Sequence, residues 1–121
     1  MKILLVEDNP LIASAIEREG ESKQIRTEHA TDGWDAIEKL ENDDDYSAIV
    51  IDADLPRHSG FGVLTYLREE IGLDLGNVVV MTSSDRTFDD VVNVIRKTDE
   101  VSELARAVFR FCVAPAPSPA E

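Results

Sequence analysis

The chain holds one cysteine, Cys112, in 121 residues. No internal disulfide can form, and its place beside Phe109 and Phe111 makes it a packed thiol rather than a redox centre. Basic residues are scarce as well. Twelve Lys and Arg against 25 Asp and Glu leave a formal net charge of −13, which repels phosphate backbones and anionic bilayers, so neither nucleic acid nor membrane is an expected partner. No apolar block approaches membrane-spanning length. Strand-like sequence begins straight after Met1-Lys2, leaving no room for a signal peptide, and a cytoplasmic location is expected. What remains is a single domain with 43% hydrophobic residues in short blocks, enough to bury a core.

Four blocks read as strands: Ile3 to Val6, Ile25 to His29, Ala48 to Ile51 and Val78 to Met81. The first, third and fourth are continuously apolar, as strands covered on both faces of a parallel sheet must be, whereas the polar second block suits an edge. Helical patterns lie between them. Asn9 can cap a helix with Pro10 in its first turn, Leu11, Ile12, Ala15 and Ile16 on one face and Gly20 at its end. Thr31 or Asp32 can cap a second helix burying Trp34, Ile37 and Leu40. Ser59 can start a third burying Phe61, Leu64, Leu67 or the stem of Arg68, and Ile71. A last helix places Val101, Leu104, Ala105, Val108, Phe109 and Cys112 at helical spacing, with Thr98 as cap and Asp99 and Glu100 in its first turn. Between Ser83 and Lys97 the residues Val91, Val92, Val94 and Ile95 fit a fifth strand, and Phe88, Val91, Val92 and Ile95 also fit a helical stripe; β-branching favours the strand. Strand and helix in alternation predict a doubly wound α/β domain over residues 1–112. Residues 113–121, with Pro115, Pro117 and Pro119, read as a flexible Pro/Ala-rich tail or truncated linker.

Two strands end in carboxylates. Asp52 closes the third block and Glu7-Asp8 closes the first, and ligands of such sheets bind at the strands' carboxyl ends. Side by side, those ends would gather three carboxylates into one crevice. Two unit charges about 4 Å apart at an effective dielectric near 20 interact by roughly 4 kcal/mol, so the crevice wants a divalent cation and should have raised carboxyl pKa values without one. Each residue also has a plainer role. An aspartate after a strand commonly serves a turn, Glu7 could face solvent, Thr82 could be an ordinary strand-end hydroxyl, and Glu41 to Asp45 suits a solvated helix end. His29 and His58 lack partners at ligand spacing and read as surface residues, and Trp34 and Tyr66 as packing residues.

Leu4-Leu5-Val6-Glu7-Asp8-Asn9, Asp52-Ala53-Asp54-Leu55-Pro56-Arg57-His58-Ser59-Gly60, Met81-Thr82-Ser83 and Arg96-Lys97 together resemble the receiver domain of two-component response regulators, over about residues 2 to 112. The resemblance implies a flavodoxin-like fold with a five-stranded parallel sheet. It implies that Asp52 accepts a phosphoryl group from a histidine kinase or phosphotransfer protein and that Glu7, Asp8, Asp52 and the backbone carbonyl of Asp54 hold Mg2+. Thr82 and Lys97 would take the remaining phosphoryl oxygens, and a downstream protein would read the result. Such a protein is modified on its own aspartate without turning over. Three departures stand out. Thr98 follows Lys97 where the family has proline, Val94 stands where an aromatic residue is usual, and the helix after the fourth strand looks shortened or absent. Asp52-Ala53-Asp54 also resembles the nucleophile and acid pair of haloacid dehalogenase-like phosphatases, and the lysine loop would suit a receiver-like module that is never phosphorylated.

Overall fold

The computed structural model describes residues 1–43, 45–54, 65, 66, 69, 77–84 and 93–112. Its strands are β1 (Lys2–Val6), β2 (Arg26–Ala30), β3 (Ala48–Asp52), β4 (Val78–Thr82) and β5 (Asn93–Arg96), and its helices α1 (Pro10–Ser22), α2 (Gly33–Asn42) and α3 (Val101–Cys112). The strands form one parallel sheet in the order β2-β1-β3-β4-β5. This is the flavodoxin-like arrangement, in which the chain goes outward from β1 in one direction and then in the other. Of the ambiguous Val91 to Ile95 stretch, the described residues follow the strand reading, in Asn93–Arg96. The proposed third helix falls almost wholly outside the described residues, as do His58, residues 85–92 and the tail 113–121.

The three central strands are apolar except for one terminal residue each, Lys2, Asp52 and Thr82, because both faces are covered. Leu4, Val6, Ile49, Ile51, Val78 and Val80 meet α2 through Ala36 and Leu40 on one face. Ile3, Leu5, Val50, Val79 and Met81 meet α1 and α3 through Ala13, Ile16, Leu104, Val108 and Phe109 on the other. Among the described residues Phe109 is the largest fully buried side chain, and burying such a residue contributes roughly 1.5–3 kcal/mol. The polar β2 lies at the edge, as its composition requires.

The helix faces differ from the apolar stripes in the sequence. Leu11 is 71% exposed and Trp34 69% exposed, whereas α1 buries Ala13, Ile16 and Gly20 and α2 buries Gly33, Ala36 and Leu40. Small residues point inward because the helices lie close against their neighbours. A β-carbon on Gly20 would stand 3.0 Å from the Ile25 carbonyl oxygen and 3.1 Å from Phe109. Gly20 is therefore an interior contact of α1 and not its end, and the helix continues to Ser22.

Asn9 caps α1 by accepting the Leu11 N–H at 2.9 Å. Asp32, not Thr31, caps α2 by accepting from Asp35, whose carboxylate in turn accepts the Thr31 N–H. At α3 the capping contacts come from Glu100 rather than Thr98: its carbonyl accepts from Leu104 and its carboxylate from Ser102. The acidic stretch after α2 is partly paired, since Asp43 holds Lys2. Cys112 is half-buried beside the core, and burial pushes its thiol up to about 12.

Candidate functional site

Strand register brings the acidic residues together. Val6 pairs with Ile51 across β1 and β3, so the next residues, Glu7 and Asp52, leave the ladder side by side. Asp8 follows on the same rim, and one carboxylate oxygen from each of Glu7, Asp8 and Asp52 lies within 4.8 Å of the others. On the far side Asp52 pairs with Met81 and Thr82 with Arg96, which sets Thr82 and Lys97 beyond Asp52 on the same edge. The Lys97 N–H donates to the Thr82 carbonyl at 2.8 Å, fixing where the loop after β5 departs.

Lys97 places its ammonium 2.7 Å from Asp52 Oδ1 and 3.6 Å from Asp54 Oδ2. Thr98 in place of proline therefore does not turn the lysine away, and every described peptide bond is trans. Burial works to lower the Lys97 pKa, but the Asp52 carboxylate outweighs it and the ammonium is held above its ordinary value. Asp52 Oδ1 also accepts the Asp54 N–H at 2.9 Å. This bond turns the chain at the strand end, so the plainer turn role and the contact with Lys97 coexist in one side chain.

Glu7 does not face solvent. It is fully buried, its Oε2 accepts the Asn9 N–H at 3.1 Å, and its Oε1 has no partner among the described residues. A buried carboxylate oxygen left alone is costly, and burial with the adjacent Asp52 raises the Glu7 pKa to about 8. The raised pKa favours a protonated carboxyl in the absence of metal, and a bound cation would give the lone oxygen a partner. The donor set is all carboxylate, with exposed Asp8 open to water, which suits a hard, partly hydrated ion such as Mg2+.

Two contacts escape a reading by spacing. His29, expected at the surface, is half-buried with Nε2 2.6 Å from the Glu7 carbonyl oxygen, so the ring donates there and ties β2 to the loop carrying the acidic pair. The contact spans 22 residues, and the β1/β2 pairing, which sets His29 beside Leu5, brings it about. Asp54 was expected to contribute through its backbone. Its carboxylate, for its part, crosses to the end of β4, where Oδ2 accepts the Ser83 N–H at 2.8 Å and Oδ1 faces the Thr82 hydroxyl at 3.4 Å. Burial acts to raise the Asp54 pKa, yet the Ser83, Lys97 and Thr82 contacts prevail and hold it below the ordinary carboxylate value.

The chain is similar to known proteins. Residues 3–101 match the family described as the response regulator receiver domain. The chain is 34% identical over 100 residues to the response regulator protein PmrA of Pseudomonas aeruginosa, an alignment covering 83% of this chain and 44% of that protein. It thus spans less than half the length of the curated relatives it matches. Among solved structures it is similar to the Francisella response regulator 1452 receiver domain, with 27% identity, TM-score 0.71 and coverage of 92% of this chain and 95% of that one. It is equally similar to the receiver domain of the sensor histidine kinase PA1611 of Pseudomonas aeruginosa, solved with a magnesium ion in its active site cleft, at 28% identity, TM-score 0.71 and coverage of 92% and 96%. With the family match over residues 3–101 and 34% identity to a relative over 83% of its length, the chain belongs to the response regulator receiver domain family.

Proposed function

We propose that Asp52 is the phosphoacceptor of a two-component signalling pathway, taking a phosphoryl group from a histidine kinase or phosphotransfer protein in the cytoplasm. The observation that carries this reading is the meeting of Glu7, Asp8 and Asp52 within 4.8 Å, with Lys97 2.7 Å from Asp52. An Asp52 carboxylate oxygen attacks phosphorus, the bond from phosphorus to the donor breaks, and the donor leaves with the electron pair. Phosphoryl transfer asks a protein chiefly for in-line positioning and for neutralised charge. Lys97 takes one phosphoryl oxygen and the Thr82 hydroxyl another, while Glu7, Asp8, Asp52 and the Asp54 carbonyl would hold the metal. Bound Mg2+ supplies cancellation of the repulsion between the carboxylates and the incoming phosphoryl group. The product stays on the protein, which signals by contact with a downstream protein and does not turn over.

The phosphatase alternative needs Asp54 as a proton donor. Its carboxyl is held below the ordinary carboxylate value by Ser83, Lys97 and Thr82, the opposite of what a general acid requires. The never-phosphorylated module drew its support from the loop after Lys97, and Lys97 lies against Asp52.

Incubation with acetyl phosphate and Mg2+ followed by intact-mass and peptide analysis tests the proposal. The expected result is one added HPO3, mapped to the peptide containing Asp52, dependent on Mg2+ and lost in Asp52→Asn. No added mass in Mg2+, or addition elsewhere, overturns it. Sustained hydrolysis of a generic phosphate ester would favour the phosphatase.

A further inference from the structure

Asp54 stands outside the acidic trio, yet its carboxylate engages three donors at once. The Ser83 N–H lies 2.8 Å from Oδ2, the Lys97 ammonium 3.6 Å from the same oxygen, and the Thr82 hydroxyl 3.4 Å from Oδ1. Lys97 is also in contact with Asp52, and Thr82 and Ser83 follow Met81, the residue that pairs with Asp52 across β3 and β4. A phosphoryl group on Asp52 would present acceptor oxygens to this same set. Backbone N–H, hydroxyl and ammonium groups bind an anion without distinguishing carboxylate from phosphoryl oxygen.

We infer that the Asp54 side chain is an internal stand-in for the phosphoryl group, holding Thr82, Ser83 and Lys97 until it is displaced when Asp52 is modified. The inference rests on the reading of Asp52 as acceptor and deepens it by assigning a regulatory side chain to that site. The contact spans 29 residues and joins the turn after β3 to the turn after β4, so it is not the local turn bond, which Asp54 makes through its own N–H to Asp52. A phosphoryl group brings up to two negative charges, and although the Lys97 ammonium has three protons to share, the Ser83 N–H and the Thr82 hydroxyl have one each, so the two anions compete for them. The carboxylate must swing away, and its side chain, 26% exposed, has solvent to enter. Ser83 and Thr82 are freed by the same movement, which couples modification of Asp52 to the end of β4.

A mere staple between two turns behaves differently from a competitor. Loss of a staple loosens the site and weakens binding of any ligand, whereas loss of a competitor strengthens binding of anions alone. The initial rate of phosphorylation by acetyl phosphate in saturating Mg2+, the affinity for beryllofluoride and the affinity for Mg2+ alone are measured for wild type, Asp54→Asn and Asp54→Ala. Asp54→Ala is expected to react roughly tenfold faster and to bind beryllofluoride roughly tenfold tighter, the value of about one charged hydrogen bond. Asp54→Asn, which keeps the shape and loses the charge, should fall between, and Mg2+ affinity should stay level or drop in both. A variant reaction as slow as wild type or slower, in a wild type that is itself modified on Asp52, overturns the competitor role and leaves the acceptor assignment standing. Modification of the variants with an inert wild type supports it strongly. Failure of all three proteins to be modified, each folded by circular dichroism, overturns both readings.

Discussion

At the scale of single residues, Glu7 gathers the most physics into one side chain. Its carboxyl titrates near 4.5 when unperturbed and near 8 in the folded protein, so between those values the native state binds a proton that the unfolded chain has released. Stability from this group is complete below about pH 4.5 and is lost as pH rises through about 8. The loss is on the order of a few kcal/mol for a fully buried carboxyl. Thermal melts in chelator are therefore expected to fall from pH 5 to pH 9, with Mg2+ restoring the alkaline end and Glu7→Gln flattening the profile. A melting temperature that rises over that interval without metal would contradict it. The presence of Glu7 at the end of an apolar run was legible in the sequence. Its unpartnered Oε1 was not, because that depends on which groups from β2 and β3 reach the same point.

At the scale of elements, strands were easier to read than helix faces. Continuous runs such as Ala48 to Ile51 and Val78 to Met81 announce strands buried on both sides, and the structure extends each by one polar residue, Asp52 and Thr82. The three described helices lie where the sequence pattern put them, but Leu11 and Trp34 face outward, since close packing selects small inward residues that carry little hydrophobic signal. Gly20 tests this account. Alanine favours a helix interior by about 1 kcal/mol over glycine, yet its methyl would meet the Ile25 carbonyl oxygen and Thr27 Oγ1 at 3.0 Å each. Backbone cannot yield as a flexible side chain can, and overpacking costs about 1–3 kcal/mol. Urea unfolding of Gly20→Ala is expected to show a net loss of up to about 2 kcal/mol; a gain would mean that α1 and β2 separate freely.

At the scale of the whole molecule, the excess of negative charge works against compaction. A net charge of −13 repels itself, and screening relieves that repulsion. Raising monovalent salt from about 0.01 M to about 0.3 M shortens the screening length from about 30 Å to under 10 Å. In chelator the melting temperature should therefore rise by a few degrees, and Mg2+ should then add a smaller increment at high salt than at low salt. A fall with salt would show that pairs such as Lys2 with Asp43 and Lys39 with Asp35 outweigh the overall repulsion.

The order of residues alone determined the fold class, the edge position of β2 and the three carboxylates at strand ends, because strand periodicity and capping chemistry are local. Tertiary structure decided that Val6 lies beside Ile51, which makes neighbours of Glu7 and Asp52. It also decided that His29 grips the Glu7 carbonyl and that Asp54 reaches the end of β4. Those contacts join residues 22 to 45 positions apart, and only the register between parallel strands brings such positions within hydrogen-bonding distance.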